Sequence, residues 1–178
     1  MTRCHVCGSS EAACLVHRTD INVVVCPTCG LAFLDPMPDD QALRNIYGAH
    51  YYRSWGLDRD AEATRQMKKA SFSRLLADVS RWLKPNVPIL DIGCATGFFH
   101  EVAADAGFQP FGIDIARYAI DACEKRFGIG RFYCGQLEEA YFPLHPEGGF
   151  GAIFMSDYIE HVPVLCSTRH HTIEAPSP

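Results

Sequence analysis

Ile89-Leu90-Asp91-Ile92-Gly93-Cys94-Ala95-Thr96-Gly97 leads from a short apolar strand through a glycine-containing turn into a helix. Turns of this kind bring backbone amides close to a bound ligand. The carboxylate of Asp91 stands two residues before the first glycine, where it would repel the pyrophosphate of a dinucleotide. The same carboxylate favours a ligand that is cationic at this point and lacks phosphates.

A second acid indicates that this ligand is a nucleoside. Asp114 ends the next predicted strand, 23 residues after Asp91. An acid at that position can accept hydrogen bonds from both ribose hydroxyls. Its alternative role is to cap the helix that follows. S-adenosylmethionine carries sulfonium, ammonium and ribose groups, and it therefore fits both acids.

Strands and helices alternate in the second half of the chain, which predicts a parallel sheet with helical crossovers. The predicted strands are 87–91, 111–114, 131–134 and 151–155, and the predicted helices are 98–106 and 116–127. The region before them, residues 39–85, predicts two helices. Asp39-Asp40 caps the first, and an apolar stripe from Phe72 to Leu83, which includes Leu75 and Trp82, predicts core packing for the second.

The N-terminal segment repeats one cysteine motif. Cys4-x2-Cys7-Gly8 and Cys26-x2-Cys29-Gly30 are separated by 18 residues. Four thiolates in this spacing make a closed tetrahedral shell for zinc, and sulfur ligands leave iron open as the alternative. Because a closed shell has no free position, we expect a structural metal site. A segment this short cannot bury enough apolar surface by itself, so the metal would supply folding energy.

The quoted residues resemble a known family. Leu90 to Gly97 is similar to the first motif of class I S-adenosylmethionine-dependent methyltransferases, and Gly112-Ile113-Asp114 to the second. Residues 156–162 resemble the segment after the fourth strand of that family. The front end, Cys29 to Pro36 followed by Tyr51-Tyr52, resembles a subgroup with an N-terminal zinc ribbon. The resemblance covers residues 1–163, with Ala95 at a position that is often glycine.

The resemblance implies an α/β fold with an incomplete Rossmann-like methyltransferase sheet of about four parallel strands, in the order 3-2-1-4. The expected domains are a zinc ribbon (1–38), a helical linker (39–85), a partial cofactor-binding domain (86–163) and a disordered tail (164–178). The family sheet has seven strands, so we expect a truncated or frameshifted product. Its fourth strand would be an open edge that can pair with another chain.

The resemblance also assigns roles at the cofactor. Asp91, Gly93, Cys94, Ala95 and Gly97 would line the methionine half, with Cys94 acting as a small residue and not as a nucleophile. Asp114 would hold the ribose. Ile115 and Leu137 would sandwich the adenine, with Gln136 near its amino group. Asp157 would face the methyl-transfer pocket. His161 is the candidate general base, and its alternative role is to cap or pack the next helix.

Composition limits the partners. The 178 residues carry a net charge of −5, divided as −1 over residues 1–38, +3 over 39–85 and −7 over 86–178. A nucleic-acid partner is therefore not expected, and a small-molecule acceptor is the default. No apolar run reaches the roughly 18 residues of a membrane helix and no secretory signal is visible, which predicts a cytoplasmic protein.

Two alternatives to a small-molecule methyltransferase stay open. One is a zinc-ribbon RNA methyltransferase, for which the available basic patch is Arg65, Lys68, Lys69, Arg74 and Arg81. The other is a module that binds S-adenosylmethionine without turnover. A solvated helix face is the simpler explanation of the basic patch.

Overall fold

The computed structural model describes residues 3–19, 21–47, 50–51, 61–144 and 146–161. They form two compact units. One contains the N-terminal residues up to Asn45 together with the short 3-10 turn Ile159–His161, and the other is Ile46–Tyr158. Within the described ranges, no helix has the length and apolar character that crossing a membrane requires. The predicted tail 164–178 lies outside the described residues.

The first unit contains a three-stranded antiparallel sheet in the order β1-β2-β3. Its strands are β1 (Ala13–His17), β2 (Asn22–Val25) and β3 (Ala32–Asp35). The core beside the sheet consists of Cys4, Val24, Cys26 and Phe33. Two of these four residues belong to the cysteine motifs, so the motifs contribute to the core of this unit.

Helix α1 (Asp40–Ile46) follows the sheet, and it begins as the sequence predicts. The Asp39 Oδ1 atom accepts a hydrogen bond from the backbone amide of Ala42 at 2.8 Å. This bond satisfies one of the amide groups that the first turn of a helix leaves without a partner.

The second unit is a parallel α/β structure. In chain order its elements are α2 (Ala61–Ser80), β4 (Pro88–Ile92), α3 (Phe98–Asp105), β5 (Gln109–Asp114), α4 (Arg117–Phe127), β6 (Phe132–Cys134), the 3-10 turn Leu137–Glu139 and β7 (Ala152–Phe154). The four strands pair in the order β6-β5-β4-β7. This is the predicted order 3-2-1-4, and the fold-class prediction is confirmed.

Alternate residues of β4 supply two different apolar clusters, as the two faces of a pleated strand require. Ile89 packs with Leu76 of α2, Phe99 of α3 and Phe154 of β7. The second cluster contains Leu90 and Ile92 of β4 with Phe111, Ile113, Leu137 and Phe142. Burying an aliphatic side chain fully contributes about 1.5–3 kcal/mol to the free energy of unfolding. The two clusters therefore stabilise the sheet that carries the candidate site.

The apolar stripe of α2 is only partly buried, which corrects the expectation for two of its members. The helix ends at Ser80, and the next turn is closed by a hydrogen bond from the Trp82 amide to the Val79 carbonyl at 2.9 Å. Trp82 is 78% exposed, and Leu75 is also exposed. At about 100° per residue, Leu75 lies roughly 60° from the direction of Phe72, outside the face that meets the core.

Candidate functional site

The predicted cofactor residues of the second unit gather at one edge of the parallel sheet. The carboxyl ends of parallel strands meet at the same edge, and ligands of open α/β sheets bind there. The segment Gly93–Gly97, here called the glycine loop, follows β4. Ile115 follows β5, and Gln136 follows β6. The fold therefore brings together three segments that are far apart in the sequence.

The glycine loop is held in an unusual backbone conformation. Gly93, Ala95 and Gly97 have φ angles of 80°, 46° and 84°. The amides of Gly93 and Cys94 donate to the Ile113 carbonyl at 2.8 and 3.0 Å, which fixes the loop to the end of β5. A left-handed conformation is strained for alanine, so Ala95 stands where glycine would fit more easily.

Cys94 takes part in the loop through its backbone. Its side chain is buried with Ile120, Cys123 and Phe132. Burial raises the pKa of the Cys94 thiol, which keeps it protonated. A buried, neutral thiol behaves as a small apolar side chain, as the sequence analysis expects.

Asp114 connects the glycine loop to the start of α4. Its Oδ2 atom accepts a hydrogen bond from the Ala95 amide at 2.9 Å, and its Oδ1 atom accepts one from the Ala116 amide at 2.8 Å. The second bond is the capping contact named as the alternative role. A carboxylate oxygen can accept more than one hydrogen bond, so the capping role does not by itself exclude the predicted ribose role.

Asp91 is buried at the end of β4, with 5% of its surface exposed. Burial, and to a smaller extent the negative charge of Asp114, raise the pKa of Asp91 to about 8. In the free protein the Asp91 carboxyl group therefore holds its proton far more readily than an exposed aspartate. The sequence pattern predicts a charged carboxylate here, and burial disfavours that charge.

Sequence reasoning missed His100, which lies behind Asp91. This side chain of α3 is fully buried, and its Nδ1 atom is 3.6 Å from Oδ2 of Asp91. Burial lowers the pKa of His100 to about 4, so the imidazole is neutral at pH 7. The sequence does carry a signal that His100 is buried, because it lies three residues before Ala103 on the apolar face of a predicted helix.

Two tyrosines near the start of the second unit pack at the start of α4, where Ala95 of the glycine loop also packs. Tyr47 and Tyr51 contact each other edge to face, with ring centroids 4.9 Å apart. Both pack on Ala116 and Ala119, beside Ala95. Residues that precede the sheet in the sequence thus share a small apolar cluster with one residue of the glycine loop.

The predicted adenine residues lie at the same edge with different exposure. Leu137 is buried in the core cluster of Leu90 and Ile92, whereas Ile115 and Gln136 are half-buried. The Sγ atom of Cys134 lies 3.7 Å from the Ile115 carbonyl oxygen. Ile115 and Gln136 are therefore more accessible to a ligand than Leu137, and the three adenine roles stay predictions.

The segment after β7 reaches the glycine loop through a residue that was not predicted. A Cβ added to Gly93 would lie 3.0 Å from Cδ2 of Tyr158, so the tyrosine ring covers that glycine. Asp157 has a φ angle of 53° and its exposed carboxylate lies 3.6 Å from Nζ of Lys68. His161 belongs to the first unit, and its role stays a prediction.

Part of the basic patch considered for RNA is used inside the protein. The Glu101 carboxylate accepts hydrogen bonds from Arg65 at 2.6 and 3.0 Å, from Lys69 at 3.1 Å and from Arg126 at 2.8 Å. Arg126 also donates to the Thr96 carbonyl of the glycine loop at 3.0 Å. These ion pairs occupy Arg65 and Lys69, which weakens the RNA alternative.

The four cysteines of the first unit form one cluster, here called the cysteine cluster. The sulfur atoms of Cys4, Cys7, Cys26 and Cys29 all lie within 4.8 Å of one another. Two of the distances, Cys4 to Cys29 and Cys7 to Cys26, are 3.5 Å. Zn–S bonds of about 2.3 Å at tetrahedral angles give sulfur–sulfur distances of about 3.8 Å, so the cluster fits a zinc ion.

The two cysteine motifs have the same backbone geometry. The amides of Gly8 and Gly30 donate to the carbonyls of Cys4 and Cys26, both at 2.9 Å, with φ angles of 74° and 78° at the two glycines. Burial acts to raise the pKa of Cys26, but the amides of Cys29 and Thr28 lower it to about 6. A lowered pKa favours the thiolate that binds a metal.

The parallel sheet, its strand order and the glycine loop define a Rossmann-like methyltransferase fold. A family model described as a methyltransferase domain matches residues 44–175. The chain belongs to this methyltransferase family. No curated protein sequence matches the chain.

Several solved structures are similar to this chain. Magnesium protoporphyrin IX methyltransferase from Synechocystis PCC 6803 with bound S-adenosylmethionine is similar over 72% of this chain, with 18% identity and a TM-score of 0.50. The chain covers 66% of that protein, slightly less than two thirds of its length. A methyltransferase from Thiobacillus denitrificans in complex with S-adenosyl-L-homocysteine matches over 51% of this chain and 36% of its own, with 18% identity and a TM-score of 0.37.

Proposed function

We propose that this protein binds S-adenosylmethionine at the glycine loop and transfers its methyl group to an oxygen, nitrogen or carbon atom of a small-molecule acceptor. Membership of the methyltransferase family supports the reaction class. The ligand class is supported by the chemistry of the loop, and the acceptor class by the absence of a strongly basic region in the sequence. A cytoplasmic location stays a prediction from the sequence.

One observation carries the proposal for the ligand. Two acids, Asp91 and Asp114, are buried on the adjacent strands β4 and β5 and flank the same glycine loop. The negative charge of Asp114 would repel a pyrophosphate group, and a phosphate gives Asp91 no cation that would favour its ionisation. A sulfonium or ammonium group would instead stabilise the ionised form of Asp91, and the carboxylate of Asp114 offers the kind of acceptor that a ribose diol requires.

The residues of the loop would hold the cofactor without reacting with it. Bound S-adenosylmethionine supplies an electrophilic methyl group on its sulfonium. The backbone of the glycine loop and Asp91 would hold the methionine end, Asp114 the ribose, and Ile115 with Gln136 the adenine. Catalysis would then consist mainly of placing the acceptor in line with the methyl group, with His161 proposed as general base.

We further propose that the cysteine cluster holds a structural zinc ion. The sulfur positions fit the ion, and all four ligands come from the chain, so no coordination position is left for a substrate. The ion would join the two cysteine motifs and stabilise the small core of the first unit, which contains Cys4 and Cys26. Iron in the same cluster is the alternative metal.

Binding without turnover is the second candidate, and the edge of β7 favours it. In the described part of the chain β7 pairs only with β4, and its Ile153 side chain is 53% exposed. Among the described residues no further strand pairs with the outer edge of β7, where an acceptor wall would be expected. The same open edge supports the proposal that two copies of the chain associate there.

Two experiments on the full chain separate these functions. Isothermal titration with S-adenosylmethionine and S-adenosylhomocysteine tests binding, and NAD serves as the phosphate-containing control. Transfer from methyl-labelled S-adenosylmethionine to a panel of small hydroxyl, amine and carbon nucleophiles tests turnover. Binding with transfer supports the enzyme, and binding without transfer to any acceptor supports the binding module. If folded protein binds neither nucleoside, both proposals fail.

A further inference from the structure

A histidine occupies a position in the core where an apolar residue would be easier to accommodate. His100 is fully buried, and the rings of Phe99, Phe127 and Phe132 lie with centroids 5.0–6.4 Å from its own. Among the described residues neither of its ring nitrogens has a partner at full hydrogen-bond geometry, and only a weaker contact with the Phe111 backbone on β5 raises the pKa of His100. A buried polar group without a hydrogen bond is costly, so packing alone gives no reason for an imidazole at this place.

The polar side chain that faces this imidazole is the carboxyl group of Asp91. Nδ1 of His100 lies 3.6 Å from Oδ2 of Asp91, about 0.6 Å beyond a normal hydrogen-bond distance. A small movement of the carboxyl group toward the imidazole would therefore close a hydrogen bond between them. Asp91 is the last residue but one of β4, two residues before Gly93, where the glycine loop begins.

The charged groups around the pair determine where the proton rests in the free protein. Burial and Asp114 on β5 raise the pKa of Asp91 to about 8. Burial and, to a smaller extent, the positive charge of Arg126 on α4 lower the pKa of His100 to about 4. A hydrogen bond to the Phe111 backbone on β5 acts in the opposite direction and raises this pKa. The Cys94 thiol beside the pair is neutral because burial raises its pKa. These opposite shifts favour the proton on Asp91 and not on His100 in the free protein.

We propose that His100 is a positioning residue that accepts the proton of Asp91 when a cationic ligand enters the glycine loop. In this step the O–H bond of the Asp91 carboxyl group breaks, its electron pair stays on the carboxylate, and an N–H bond forms at Nδ1 of His100. The inference rests on the proposed function, because S-adenosylmethionine is the cation.

The transfer is favoured by the ligand itself. A positive charge next to Asp91 stabilises the carboxylate, and the carboxylate in turn stabilises an imidazolium 3.6 Å away. Because the proton moves only between two buried groups, ligand binding would leave the number of protons on the protein unchanged. Without His100, the same ionisation would send the proton to the solvent.

The test is the number of protons released when S-adenosylmethionine binds the full chain. Isothermal titration at pH 7 in phosphate and in Tris buffer measures it, because these buffers differ in ionisation enthalpy. We expect the wild-type protein to release close to no proton and His100→Leu to release about one proton per ligand bound. His17→Leu, at an exposed position of β1, is the matched control and should behave as wild type.

A second measurement covers the case in which His100→Leu does not fold. NMR of the imidazole nitrogens in wild-type protein should show His100 neutral in the free chain and protonated in the complex. Release of about one proton by the wild type, or a neutral His100 in the complex, would overturn the inference while the proposed function stands. Failure of folded wild-type protein to bind S-adenosylmethionine would overturn the proposed function instead.

Discussion

Replacing Glu101 by glutamine removes the negative charge on which three cations of the second unit converge. Arg65 makes two hydrogen bonds to this carboxylate, and Lys69 and Arg126 make one each, at 2.6–3.1 Å. The Glu101 side chain is only 12% exposed. Since Arg65 and Lys69 lie on α2 and Arg126 on α4, the Glu101→Gln change weakens the attachment of both helices to α3.

The size of the effect follows from the pKa of Glu101. Hydrogen bonds from Arg65, with those from Lys69 and Arg126, lower this pKa from 4.5 to about 2 against the effect of burial. A difference of about 2.5 in pKa corresponds to roughly 3 kcal/mol at 1.36 kcal/mol per unit. The cations are 35–44% exposed, so solvent screening reduces the expected loss to about 1–2 kcal/mol.

The pH dependence has a definite sign. Because the folded-state pKa lies below the unfolded one, the stabilisation is complete well above pH 4.5 and is lost as the pH falls through about 2. Roughly 60% of it should remain at pH 3.5. Glu62→Gln is the matched control, because its exposed carboxylate lies 3.7 Å from Arg65 and should contribute about 0.5 kcal/mol or less.

Urea unfolding followed by the helical circular dichroism signal measures these free energies, because α2, α3 and α4 all belong to the second unit. The expected result is a loss for Glu101→Gln that is clearly larger than the loss for Glu62→Gln at pH 7 and that shrinks toward pH 3. Equal losses in the two variants, or a loss independent of pH, would show that the charge at Glu101 does not stabilise the fold.

Three further predictions concern the loop, the metal and the edge strand. Ala95→Gly relieves a left-handed backbone and should leave the free energy of unfolding unchanged or raise it by up to about 1 kcal/mol. The control, Ala104→Gly in α3, should lower that free energy by about 1 kcal/mol. Equal losses for the two variants on urea unfolding would contradict this prediction. Cys26→Ser should remove stoichiometric zinc from the purified chain by metal analysis, while Cys14→Ser should keep it; zinc retained by Cys26→Ser excludes the cysteine cluster as its site. Ile153→Lys should abolish self-association in sedimentation at micromolar concentration; a monomeric wild-type chain would refute association at β7.

Features that depend on residues close together in the sequence could be predicted well. Three such features each depend on a few neighbouring residues: the Asp39 cap, the helix ends next to Gly107 and Gly128, and the pairing of the cysteine motifs. The strand order was also predicted, but from the family resemblance and not from local pattern. It placed Asp91 and Asp114 on adjacent strands, as the structure does.

Features that depend on contacts across the fold could not be predicted. The charge of Asp91 depends on its burial and on Asp114, neither of which a strand pattern reports. The Glu101 network joins residues 25–36 positions apart, so its arginines resemble an ordinary solvated helix face in the sequence. The prediction that Trp82 is buried in the core was wrong for a related reason. Periodicity gives the direction of a side chain around a helix but not the residue at which the helix ends.

The account depends on Asp91 binding a cationic nucleoside at the end of β4. Its most direct test is isothermal titration of S-adenosylmethionine into wild-type protein and Asp91→Asn at pH 7, with circular dichroism to verify that both are folded. We expect Asp91→Asn to weaken binding about 10- to 100-fold, the usual value of a hydrogen bond to a charged group. Unchanged affinity, or NAD binding that displaces S-adenosylmethionine from the wild type, would contradict the account.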